Sequence, residues 1–171
     1  MVQDVSSDEE EDDYPVPQSA SDSFGSPDLG SLLLDSGSSN MTLKALHPQP
    51  VHIFMLWQAF RDNIDPLTKL FHAPTVQQTI LDASADLENV PRATEALMFS
   101  IYSSAVVSMT EADCQSKIGE ARGTLLARFQ TGAMQALRRA ELLKTSDLVV
   151  LQAFILYLVS QIINIRINHH Y

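Results

Sequence analysis

Cysteine is almost missing: Cys114 is the one thiol in 171 residues. That excludes a disulfide framework and any all-cysteine zinc site within the chain. Positive charge is missing from the first quarter, where residues 1–43 hold ten Asp and Glu and no Lys or Arg. The formal net charge of −10 therefore belongs to that leader, and the eleven Lys and Arg that follow meet eleven acids. A neutral body without a basic cluster is a poor nucleic-acid binder by itself, since phosphate neutralisation supplies most non-specific affinity. Met1 is followed by acids, not by a basic and then apolar segment, so no signal peptide is read. Asn40-Met41-Thr42 is then a chance match to the glycosylation pattern, in a chain of a reducing, intracellular compartment. Convincing strands and internal repeats are also missing.

What is there divides at about Lys44. Residues 1–45 are rich in Ser, Asp, Glu, Gly and Pro, and bury too little surface to offset ordering entropy, which predicts a disordered acidic leader. Ser6 and Ser7 precede Asp8 to Asp13, an acidic context that would suit an acid-directed kinase. Tyr14, Phe24, Leu29 and Leu32-Leu33-Leu34 are apolar points among acids. A solvated linker is the plainer account of them, and an acidic activation segment the alternative.

From Pro50 onward the spacing predicts five helices. The first, about 50–62, carries Ile53, Leu56, Trp57, Phe60 and Ile64 on one face, between the breakers His47-Pro48 and Asp65-Pro66. The second, about 76–88, has Thr75 and Gln78 as a capping pattern and a stripe of Val76, Ile80, Ala83 and Leu87. The third, about 92–108, is apolar nearly all round and belongs in the centre of a bundle. The fourth is read as one long helix over about 111–143, opened by Thr110 with Asp113. Gly119, Gly123 and Gly132 lie within it as close-packing points. The last, about 146–158, is capped by Ser146 and almost continuously apolar. The fold expected is an all-α, antiparallel bundle.

Three stretches in this order resemble a known family. They are His47-Pro48 through Leu56-Trp57, Phe60, Asp65-Pro66-Leu67, Lys69, His72 and Pro74; then Glu95 to Tyr102; then Ser146 to Phe154. Together they resemble the regulatory middle domain of fungal transcription factors, usually found behind a six-cysteine binuclear zinc cluster. The likeness covers about 46–158, the N-terminal part of that domain. It implies a nuclear regulator working through internal contacts, through other regulators or a self-dimer, or sometimes through a small-molecule inducer. The family's zinc and specific DNA contact belong to the cluster, which this chain does not contain. A cluster-less interaction module that pairs with intact regulators is the alternative. After Leu158 the chain departs from the family. The Ile-, Asn- and His-rich stretch 159–171 is read as a non-native tail, with an intron read through to a stop as its source. That reading leaves helices 92–108 and 146–158 without later helices to cover them.

Site candidates are few. His47, His52, His72, His169 and His170 do not share metal-ligand spacing, and a loop or capping role is expected for them. Cys114 lies in a first helical turn beside Glu111, Asp113 and Glu120 and is expected in the core. Asp62, Asp65, Asp82 and Asp86 sit at helix ends or polar faces, with no nucleophile, Gly-rich loop or ligand triad beside them. No catalytic, cofactor-binding or metal residues are assigned, and no enzyme is expected. Trp57 with Phe54 and Phe60 suits core packing better than a ligand pocket. Leu148–Ile165 is long enough to raise a membrane span, but Gln152, Ser160, Gln161 and Asn164 favour a core helix.

Overall fold

The computed structural model describes residues 42–168. The acidic run, Ser6, Ser7, Leu32–Leu34, His169 and His170 lie outside the described residues. Among the described residues there are eight helices and no strand: α1 Leu43–Leu46, α2 Pro50–Asn63, α3 Asp65–Thr68, α4 Ala73–Ala85, α5 Arg92–Ser108, α6 Glu111–Lys117, α7 Arg122–Arg139 and α8 Leu148–Asn168. The fold is all-α.

The body begins three residues before the expected 46: α1 buries Leu43 and Leu46, and Lys44 pairs with Glu88. Prolines open the next helices as their missing N–H allows, at Pro50 in α2 and near the starts of α3 and α4. Helix α4 starts at Ala73, not at 76, because His72 stands at its N-cap and Pro74 fits its first turn. Thr75 therefore sits inside the helix, accepting or donating with His72 Nδ1 at 2.8 Å.

Helix α5 is the axis. Every residue from Glu95 to Val107 is buried, and α2, α7 and α8 all pack on it. Ser100, Ser103 and Ser104 keep its surface thin, so neighbours approach closely. Ser104 Oγ donates to the carbonyl of Ser100 at 2.9 Å, and Ser103 Oγ lies 3.2 Å from Ser160 Oγ on α8. Helix α5 is thus covered, contrary to the expectation that it lacks cover.

The long fourth helix is two. Gly119 takes φ +85°, a left-handed conformation open to glycine, and ends α6. Helix α7 restarts at Arg122. Its side chain turns back to donate to the carbonyls of Val106 and Val107 at 3.2 and 3.0 Å, satisfying the C-terminal end of α5. The capping box at Thr110 and Asp113 forms as expected. Of the glycines, Gly132 is a close-packing point: a Cβ there would stand 2.5 Å from the Phe99 ring. Gly123 has nothing near it.

Helix α8 is opened by Asp147, not Ser146, with Asp147 Oδ1 accepting from the Val149 N–H at 2.8 Å. It runs past Leu158 to Asn168, and Ser160 is fully buried against α5. The apolar pattern therefore does not lapse at 158. Its inner face is Val150, Ala153, Leu156, Tyr157 and Ser160; its outer face is exposed at Leu148, Leu151, Ile155 and Ile162.

Candidate functional site

A polar network running from the core to the surface joins α1, α5 and α7. His47, the residue that ends α1, has a fully buried side chain. Its ring lies 4.4 Å from that of Phe99, with Nδ1 3.4 Å from the Tyr102 hydroxyl and Nε2 3.7 Å from Glu95 Oε1. Arg139 Nη1 donates to Glu95 Oε2 at 3.0 Å, and Arg92 Nη1 donates to the Arg139 carbonyl at 3.3 Å. Burial, reinforced by the Glu95 carboxylate, holds the Tyr102 phenol well above its ordinary range. This arrangement ties the leader end of the body to the helical axis. It acts as a clamp, and Arg92 and Arg139 at its outer end line a shallow cleft of about 170 Å³.

The other candidates are scattered. Among the described residues no three His, Cys, Asp or Glu side chains converge as metal ligands. His52 is half-buried on α2, and His72 stands at the N-cap position of α4 without a side-chain capping bond. Cys114 is buried, and desolvation leads the causes that push its thiol up; Glu111 and Asp113 add to this while Arg122 and Lys117 oppose it. That is the state of a packing thiol, not a nucleophile. Asp65 is buried beside Arg61 at 3.6 Å, and Asp82 accepts from Gln78. Asp86 holds Asn89, a bond that leads the causes lowering its pKa. Asp62 stands at the rim of an open groove.

Trp57 and Phe60 are core residues with rings stacked 5.6 Å apart, and Trp57 Nε1 donates to Gln77 at 3.4 Å. Phe54, on the same helix, is nearly half exposed at 46% and lines a small recess against α4 together with Trp57. With Met55, Ala59 and Met109 it floors a groove of about 630 Å³ between α2 and α6, rimmed by Asp62, Asp113 and Lys117. Phe54 stands at the edge of the buried stripe, between the recess it shares with Trp57 and this groove.

Part of the charge on the body is neutralised in pairs. Lys44, Arg61, Lys117, Arg128 and Arg139 each meet a carboxylate. These pairs engage five of the eleven bases.

No family model matches the chain, and no solved structure does. Curated relatives are found. The aurofusarin cluster transcription factor aurR2 of Gibberella zeae is 46% identical over 128 residues, 75% of this chain and 19% of that protein. The transcriptional regulator AacuB of Aspergillus aculeatus is 43% identical over 129 residues, 75% of this chain and 18% of that protein. The pyriculol/pyriculariol biosynthesis cluster transcription factor 1 of Pyricularia oryzae is 40% identical over 161 residues, 92% of this chain and 21% of that protein. The chain thus spans about a fifth of the length of these relatives.

Proposed function

Because the chain belongs, over the segment it shares with them, with the fungal transcription regulators, we propose that it acts as a regulatory segment of such a protein. It works in the nucleus through contacts with other regulators or with a second copy of itself. The observation that carries this reading is 40–46% identity to transcription regulators over most of an all-α body. Specific DNA contact is a task for a binuclear zinc cluster, for which one cysteine supplies too few ligands. The segment therefore takes no zinc, catalyses nothing, and bears on transcription through protein contacts. The groove under Phe54 and Met55 is the place where a small apolar inducer would fit.

A single observation favours a second reading. The charge-paired, cluster-less body would also serve as a stand-alone module that pairs with intact regulators and blunts them.

Tethering the 171-residue chain to an unrelated DNA-binding module tests the function. Reporter transcription in a fungal host should change, in either direction, relative to the module alone. The untethered chain should show no sequence preference for duplex DNA, and what binding exists should vanish between about 50 and 200 mM salt. Sequence-specific binding by the untethered chain would overturn the proposal. Suppression of an intact regulator by the untethered chain, with no effect when tethered, would move the assignment to the second reading.

A further inference from the structure

Helix α8 is apolar on two opposite faces, and one is already used against α5. On the other, Leu148, Leu151, Ile155, Leu158, Ile162 and Ile165 follow one another at spacings of 3, 4, 3, 4 and 3. That is the seam of a heptad repeat held over two and a half turns of the pattern. Four of the six are exposed, from 39% at Leu151 to 65% at Leu148, and Leu158 and Ile165 are half-buried. The period separates the two uses. The inner residues meet a bundle, whereas the outer ones step at the spacing that keeps a seam against a single partner helix.

The seam is also symmetric along its length. About the midpoint between Leu156 and Tyr157, Leu148 mirrors Ile165, Leu151 mirrors Ile162, and Ile155 mirrors Leu158. A second copy laid antiparallel at this register therefore meets an apolar residue at every layer, with each leucine facing an isoleucine. The same operation brings the acidic start of one helix, at Asp147, to the basic end of the other, at Arg166, and opposes the two helix dipoles. A parallel pair would set Asp147 against Asp147 and Arg166 against Arg166. Between those ends the residues flanking the seam are Gln152, Phe154, Val159 and Gln161, so no charge repels the partner.

We propose that the outer face of α8 is a self-association surface on which two copies of this chain pair antiparallel about a two-fold axis, in the register that joins Leu148 to Ile165. The contact is isologous, the commonest form of homodimer. Its area sets its strength: the seam offers on the order of 500 Å² per copy, and a pair covers roughly 1,000 Å², at the low end for a specific interface. The dimer is accordingly a reversible one that forms as concentration rises. The inference specifies the self-dimer of the proposed function and rests on that reading only for its biological use. The experiment below reads pairing alone, so the two can fail separately.

Sedimentation of the full chain over a dilution series should show the mass double from 18.9 kDa as concentration rises. Ile155→Glu and, independently, Ile162→Glu should abolish the doubling while the helical circular dichroism stays unchanged. Val51→Glu, comparably exposed on α2, should leave it intact. Mixing Leu148→Cys chains with Ile165→Cys chains should give disulfide-linked pairs on mild oxidation, and Leu148→Cys alone should not. A chain that stays monomeric, or a dimer indifferent to both glutamates, overturns the proposal. Self-crosslinking of Leu148→Cys overturns the antiparallel register. An aqueous monomer that floats with phosphatidylcholine vesicles, and ceases to with Ile155→Glu, gives the face to lipid and overturns it as well.

Discussion

Helices α5 and α8 are the two most apolar segments of the body, yet they are used differently. Helix α5 is enclosed by α2, α7 and α8 and has no outer face. Helix α8 lends one side to α5 and leaves a second apolar side in solvent. The difference shows that apolar content alone does not decide burial. Small residues on α5 admit neighbours from several directions, whereas on α8 the large aliphatics concentrate at seam spacing opposite the packed face.

The sharpest way to break this comparison is to cut into the axis. Phe99→Ala on α5, or Trp57→Ala on α2, removes a fully buried ring and should cost about 3–5 kcal/mol in urea unfolding. A loss that size threatens folding outright. If either variant keeps wild-type stability, α5 is not the axis.

Overfilling the same place comes next. Gly132→Ala puts a methyl 2.5 Å from the Phe99 ring and should cost about 1–3 kcal/mol, despite the better helix propensity of alanine. Gly123→Ala, with nothing near it, should gain up to about 1 kcal/mol instead. Opposite signs for these two glycines would mark where close packing is real.

Smaller effects lie at the junctions. Ser160→Ala deletes the hydroxyl that meets Ser103 and donates to the Tyr157 carbonyl, and should cost about 1 kcal/mol. Thr110→Ala opens the capping box of α6 and should cost a similar ~1 kcal/mol. Tyr102 adds a pH dependence. Its proton is held in the folded chain by burial and by Glu95, whereas the unfolded chain releases it near pH ~10. Stability is therefore complete below about pH 10 and falls above it. Tyr102→Phe should flatten that alkaline slope in pH-dependent unfolding.

Much of the fold was legible because local chemistry decided it. Pro50 and Pro91 set the starts of α2 and α5, the 3–4 stripe through Trp57 and Phe60 set the buried face of α2, and Thr110 with Asp113 set the start of α6. Gly119 was misread because a glycine within an apolar pattern serves packing or termination equally well, and its φ of +85° depends on where Arg122 can reach. The end of α8 was misplaced because the Ile-, Asn- and His-rich stretch after Leu158 departs from the family, though Ile162 and Ile165 continue the spacing of three and four. The clamp of His47, Glu95 and Arg139 was invisible: its members lie 48 and 44 residues apart in the chain, and only the bundle brings them together. The regulatory reading came from the order of three short stretches, none of which carries chemistry by itself.

The asymmetry between the two apolar helices is tested most directly by Phe99→Ala and Ile155→Ala, unfolded side by side at low and at high protein concentration. Phe99→Ala should lose about 3–5 kcal/mol at both concentrations. Ile155→Ala should change stability by no more than about 0.5 kcal/mol when dilute, and by a larger amount only where the wild-type chain has paired. A loss of about 2 kcal/mol or more for Ile155→Ala in the dilute monomer would place that residue in the core and contradict the account.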